Sequence, residues 1–203
     1  KILLNSWEGV YFDINQQGMD QMMADIASMG GELFVMDDGW FGDKYPRKND
    51  SSSLGDWVVD KNKLPNGIEG LLSDAKKHGV KFGIWIEPEM ANTTSELYEK
   101  HPDWVLKASE RDVVLGRGGT QVVLDLANPA VQDFVFGVVD NLMTSYPEID
   151  YIKWDANMSV QNHGSQYLTK DNQSHMYIEF HRGFEKICQR IRAKYPDLTI
   201  QAC

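Results

Sequence analysis

The chain has little cysteine, no long apolar run and no excess of positive charge, and each shortage removes a class of function. Two cysteines, Cys188 and Cys203, stand among 203 residues. They cannot build a disulfide framework, so a reducing, cytoplasmic setting is the expectation. No apolar stretch approaches the ~18–20 residues that cross a bilayer, and the opening residues do not read as a signal peptide. A formal net charge of −10 and a pI near 4.9 argue against nucleic acid or anionic membrane as partner. The five histidines form no H-E-x-x-H or related pair, and the acids show no regular ligand spacing. Neither a metal nor another cofactor is therefore expected; His175 and His181 read as helix-surface residues. Sequons at Asn49, Asn92, Asn157 and Asn172 would matter only in a secreted protein.

A glycine-rich phosphate loop is missing too. The first strand-to-helix turn is EGVYFDINQQG, without G-x-G-x-x-G, and GRGG at 116–119 precedes a strand instead of joining strand to helix. The doubly wound dinucleotide-binding architecture thus lacks its usual mark.

What is present is an alternation of two periods. ILLNSW (2–7), ELFVMDD (32–38), VKFGIWIEPEM (80–90), QVVLDL (121–126), IDYIKWDAN (149–157) and LTIQAC (198–203) read as strands. Between them, apolar residues recur at helical spacing: Met19, Met22, Met23, Ile26 and Met29; Ile68, Leu71, Leu72 and Ala75; Val131, Phe134, Val135, Val138, Val139 and Leu142; Met176, Phe180, Phe184, Ile187 and Ile191. SELYEKHP (95–102) is a shorter helix stopped by proline. His78-Gly79 signals a C-cap, and Asn128-Pro129 an N-cap with proline in the first turn. Strands alternating with helices predict an α/β fold with a parallel sheet.

Polar residues gather at the C-terminal ends of these strands: Asn5 and Trp7, Asp37 and Asp38, Glu87 and Glu89, Asp125, Asp155 and Asn157. A (β/α)8 TIM barrel builds its site on that rim. Six strands of the eight are legible, and the chain opens at Lys1 without methionine and stops in a β-like run. Residues 1–203 are therefore expected to be a partial catalytic barrel domain, truncated after about the sixth strand, with its remainder and flanking domains elsewhere.

The fifth strand carries the chemistry. Period-2 alternation sets Tyr151, Lys153 and Asp155 on one face and Ile152 and Trp154 on the other. If the latter pack on helices, Lys153 and Asp155 enter the barrel mouth. Lys153 two positions away, and hydrogen bonds from Asn157, would favour an ionised Asp155, suited to act as nucleophile or base. A plain Lys–Asp pair at a strand end is the competing reading. Adjacent acids with aromatics, in DDGWF (37–41) and with Trp7, Trp85 and Trp154, suit a sugar: carboxylates accept from hydroxyls and flat rings cover C–H faces. A Schiff-base lyase using Lys153, or a carbohydrate-binding module without catalysis, would use similar residues.

FVMDDGWFG (34–42), GIWIEPEM (83–90), QVVLDLANP (121–129) and YIKWDAN (151–157) resemble the catalytic barrel of the bacterial α-galactosidases of glycoside hydrolase family 36. NSWEGVYFD (5–13) resembles that family's first barrel strand. These motifs run in order over essentially the whole chain. The resemblance implies a retaining α-galactosidase, needing no cofactor, that hydrolyses terminal α-galactosides of the melibiose and raffinose type. It implies that Asp155 is the nucleophile and that Asp37 and Asp38 hold the galactose C4 and C6 hydroxyls. By the same resemblance Lys153 and Asn157 bind neighbouring hydroxyls, Trp7 and Trp85 contact the sugar, Arg117 lies over the site, and Cys203 opens a substrate-binding segment. GRGG departs from members whose arginine abuts the strand more closely. The family's acid/base aspartate follows its sixth strand and is not expected among these residues. α-N-Acetylgalactosaminidase and galactosyl-transferase activities are the nearest alternatives, and a homo-oligomer is expected of the full-length protein.

Overall fold

The computed structural model describes residues 2–203. In chain order its elements are β1 (Leu3–Asn5), α1 (Trp7–Val10), α2 (Gln16–Ser28), β2 (Leu33–Met36), α3 (Gly67–His78), β3 (Lys81–Ile86), β4 (Met90–Asn92) and α4 (Glu96–Lys100). They continue with β5 (Gln121–Val123), α5 (Pro129–Ser145), β6 (Ile149–Trp154), α6 (Met176–Lys194) and β7 (Thr199–Ala202), with 3-10 turns at Pro102–Trp104 and Lys170–His175. Five strands form one curled, wholly parallel sheet in the order β1-β2-β3-β6-β7. Parallel neighbours require long crossovers, and α2, α3, α5 and α6 provide them. α2 packs on α3 and α5 on α6, together covering one face of the sheet.

The core lies between sheet and helices, as the apolar periodicity requires. Phe34, Phe82, Ile84 and Ile152 from the strands meet Met19, Met23, Ile68, Leu71, Val135, Val139 and Ile187 from the helices, all essentially buried. Each such side chain is worth roughly 1.5–3 kcal/mol on full burial. Helix ends follow the sequence signals. The Asn128 side chain accepts from the Ala130 N–H at the start of α5, Ser95 caps α4 through Tyr98 N–H, and Gly79 ends α3 in the left-handed conformation at φ 71°. Met29 departs from its expected place. It lies one residue past α2 and is 67% exposed, because the helix stops before that position could face the sheet.

The expected count of six sheet strands is corrected to five. QVV is a buried strand, but β5 pairs antiparallel with β4, outside the main sheet. There is no edge for it to join, because β3 meets β6 directly, with Ile84 opposite Ile152 and Ile86 opposite Trp154. The third strand also ends early. Pro88 has no N–H to give to a ladder, so the run read as 80–90 breaks after Ile86 and Met90–Asn92 turns away toward β5. Likewise β1 stops at Asn5, and Trp7 opens a four-residue helix instead of extending the strand.

Candidate active site

The alternation expected in the fifth sheet segment holds. Along β6, Ile152 and Trp154 are buried against the helix layer, with the Trp154 ring edge-on to Phe184 of α6, while Tyr151 and Lys153 are half-buried on the concave face. Trp85 of β3 stands in register with Lys153, and Gln201 of β7 flanks it on the other side. The C-terminal ends of β1, β2, β3 and β6 thus face one hollow.

Asp37, just past β2, is 2% exposed and accepts on both oxygens. Its Oδ2 accepts from Lys153 Nζ at 2.7 Å and from Asn5 Nδ2 at 2.6 Å, and its Oδ1 from the Asp38 N–H at 2.8 Å. Ser6 Oγ accepts from the Asp37 N–H at 2.9 Å, so β1 and β2 orient the carboxylate from both its backbone and its side chain. Asp38 takes the two-pronged fork of Arg47, with Nε 2.9 Å from Oδ1 and Nη2 2.7 Å from Oδ2. Burial pushes the Asp38 carboxyl up and the Arg47 fork opposes that rise.

Asp155 follows β6. Its backbone N–H continues the ladder to Ile86 O, its Oδ2 accepts from Trp85 Nε1 at 3.1 Å, and its Oδ1 from the Ala156 N–H at 2.9 Å. The competing Lys–Asp pair does not form, since Lys153 Nζ reaches across the sheet to Asp37, while the charge of Asp155 still acts on it. One expected partner is corrected. Asn157 gives nothing to Asp155. Its backbone N–H and its Nδ2 both donate to Glu87 Oε1, at 2.6 and 3.0 Å. For Lys153, burial would lower the ammonium, but the Asp37 hydrogen bond and charge, with Cys203 and Asp155 behind, hold it above its ordinary value.

The two tryptophans expected to contact the sugar differ. Trp7 is half-buried at the start of α1, its ring edge-on to Tyr11 and Phe12. Trp85 is 2% exposed, stacked parallel to Phe41 at 6.1 Å and flanked by Trp57, so only its N–H edge serves the hollow. Trp40 belongs wholly to the core, its Nε1 donating to Trp85 O at 2.9 Å. Arg117 lies exposed on the turn before β5 with φ 47°. That turn packs on the site's margin, since a side chain added at Gly116 would strike Met158, next to Asn157. Among the described residues the Arg117 guanidinium makes no hydrogen bond or ion pair with the site carboxylates. Cys203 is exposed, its N–H bonded to Trp154 O at 2.9 Å.

Asp125 is the rim residue that the fold removes. With β5 outside the sheet, its carboxylate is buried among Ser165 Oγ at 2.5 Å and the Ala127 N–H at 3.1 Å, where it ties a loop together. Glu89 turns to the helix side and accepts from Trp154 Nε1 at 2.7 Å. Arg47 and Lys63 were missed by sequence reasoning. Arg47 is fully buried and also binds Ser52 O and Asn92 Oδ1; Lys63 Nζ donates to three carbonyls, of Phe12, Gly39 and Arg47, at 2.6–2.8 Å. The one available signal was that Arg47 is the only arginine before residue 111. Among the described residues no group of three or more His, Cys, Asp or Glu is arranged to hold a metal.

Comparison with known proteins matches residues 1–203 to the family described as Melibiase. A probable α-galactosidase C of Aspergillus flavus is 41% identical over 99% of the chain, and α-galactosidase AgaA of Geobacillus stearothermophilus is 39% identical over all of it. The chain spans about a quarter of the length of these relatives, 26% and 27%. The crystal structure of AgaA, described as a glycoside hydrolase family 36 α-galactosidase, superposes with a TM-score of 0.93 over 100% of this chain. A variant of AgaA in complex with raffinose superposes equally well, at 0.93 and 39% identity.

Proposed function

The chain belongs to the Melibiase family, and from that premise we propose that it supplies the nucleophile half of a retaining α-galactosidase. The observation that carries this is the engaged pair Asp37–Lys153 beside Asp155, with Trp85 joining the two strands. In the proposed reaction Asp155 attacks the anomeric carbon from the face opposite the leaving oxygen and forms a galactosyl ester, which water then cleaves. Trp85 holds Asp155 Oδ2, so the free lone pairs of the carboxylate are aimed before substrate arrives. Asp37 and Asp38 have their outer lone pairs left for the C4 and C6 hydroxyls, and Lys153, Asn157, Trp7, Arg117 and Cys203 complete the galactose subsite. The substrates proposed are α-galactosyl oligosaccharides such as the raffinose seen with AgaA.

A retaining mechanism requires a second carboxyl ~5–5.5 Å from the nucleophile, protonated to release the aglycone. Glu87 and Glu89 are committed to Asn157 and Trp154, which supports a donor from the remainder of an eight-stranded barrel. The ion pair to Asp37 and the raised basicity of Lys153 keep that amine protonated, which disfavours a Schiff-base lyase. Cytoplasmic location and assembly of the full-length protein into a homo-oligomer are carried as parts of the same proposal.

The test is covalent trapping. Full-length protein treated with a fluorinated α-galactosyl inactivator is expected to carry one label, on Asp155, and Asp155→Ala to lose label and turnover together. Turnover above a few per cent in Asp155→Ala, or a label on Lys153, would contradict the assignment. A parallel assay on α-N-acetylgalactosaminides and for transfer to a second sugar separates the related activities.

A further inference from the structure

Glu87 is a buried acid that the proposed chemistry leaves without a task. It follows β3 by one residue and is 1% exposed. It shares the inward face with Trp85, two positions earlier, and the two side chains reach to the same stretch of chain beyond β6. Trp85 holds Asp155 by its carboxylate, and Glu87 holds Asn157 by both backbone and side chain. The backbone of Asp155 is pinned to Ile86 between them. The segment Asp155–Ala156–Asn157 is therefore clamped at both ends by one strand.

We infer that Glu87 is a positioning residue, whose single oxygen Oε1 accepts two hydrogen bonds from Asn157 and so fixes the geometry of the nucleophile's loop. The inference rests on the galactosidase reading for its catalytic meaning but not for its structural content. A loop end held by one hydrogen bond is free to rotate about it, whereas a backbone and a side-chain donor of the same residue meeting at one acceptor leave one arrangement. Misplacement of a reacting group by about 1 Å is enough to cost on the order of a hundredfold in rate.

The surroundings of Glu87 set its ionisation. Burial pushes its carboxyl up to about 7, the Asn157 bonds oppose the rise, and the charges of Asp155 beyond β6 and Asp38 beyond β2 add to it. The nearby cations are committed elsewhere, Arg47 to Asp38 and Lys153 to Asp37. The two Asn157 donors bond the ionised carboxylate more strongly than the acid, so the clamp persists on both sides of that titration. Ionisation instead costs folding stability, which is complete below the ordinary value of 4.5 and is lost as pH climbs to about 7, when a second anion arises beside Asp155.

Two substitutions in the full-length protein test this. Glu87→Ala removes the acceptor and is expected to lower kcat/KM on raffinose by about ten- to a hundredfold, chiefly in kcat. Deuterium exchange at the amide of Asn157 should rise about tenfold in the same variant. Glu87→Gln keeps an oxygen at the Oε1 position, so it is expected to recover most of both losses, and its stability should lack the wild-type fall as pH climbs to about 7. Unchanged exchange at Asn157 in Glu87→Ala, or a Glu87→Gln variant that recovers neither loss, overturns the inference. If Glu87→Ala does not fold, kcat and Asn157 exchange of Glu87→Gln against wild type decide alone. The exchange measurement needs no substrate, so a failure of Asp155 trapping and a failure of the clamp are read separately.

Discussion

At the residue scale, the site depends on two cations, Arg47 fully buried and Lys63 half-buried. Arg47 neutralises Asp38 through a fork and draws the loop of residues 43–56 over the sheet, while Phe12 and Phe41 lie beside its guanidinium. Lys63 gathers the carbonyls of Phe12, Gly39 and Arg47, so three loops meet at one ammonium. Arg47→Met is expected to destabilise by about 3–5 kcal/mol, the usual result of leaving a buried charge unpaired, measured by denaturant unfolding of the full-length protein. Arg47→Lys should fold better yet still bind galactosides weakly, because a point charge does not reproduce the fork. From its rim position alone, Asp38→Asn would be expected to cost activity and spare stability. The structure revises that expectation. Asp38→Asn strands the Arg47 charge, so melting temperature and galactoside affinity should fall together; an unchanged melting temperature would show that the fork contributes nothing.

At the element scale, the spacing of α6 from the sheet is set by a glycine. A Cβ at Gly183 would lie 1.8 Å from the Leu126 carbonyl oxygen, too close for any local adjustment. Gly183→Ala must therefore push α6 outward, away from the Trp154–Phe184 contact that backs the strand leading to Asp155. The expected cost is about 1–3 kcal/mol or more, with a parallel loss of kcat, read by thermal unfolding and by turnover of the same sample. Asn128→Ala, which removes the N-cap of α5, is expected to cost about 1 kcal/mol, read by thermal unfolding. The helices were legible at this scale because 3.6-residue periodicity and caps are local properties. Strand membership was not. QVV carries every mark of a buried strand, yet whether it joins the main sheet depends on which strand β3 finds as its neighbour, 65 or so residues along the chain.

At the scale of the whole molecule, the sheet is open. Among the described residues β1 and β7 each have a neighbour on one side only, and the concave face carries half-buried Tyr151 and Lys153 with exposed Gln201 in place of a packed barrel interior. Unpaired strand edges are templates for association. Residues 1–203 expressed by themselves are expected to self-associate and to show no galactosidase turnover; sedimentation at increasing concentration checks the first, and a chromogenic galactoside the second. A monodisperse, active fragment would mean that the described strands already complete a working site. The net charge of −10 slows such association but does not pair the edges.

The sequence by itself determined the α/β class, the helices and their caps, the face of the IKWD strand that turns inward, and the gathering of acids at strand ends. All of these follow from periodicity and local chemistry within about a dozen residues. Only the tertiary structure decided who meets whom: that Lys153 serves Asp37, that Asn157 is held by Glu87, that Asp125 leaves the rim, and that Arg47 and Lys63 lie beneath the site. The physical reason is that side-chain charges pair through space, and a long lysine or arginine reaches several acids of similar affinity. Which one it finds depends on the register and curvature of strands far apart in the chain, which no local pattern encodes.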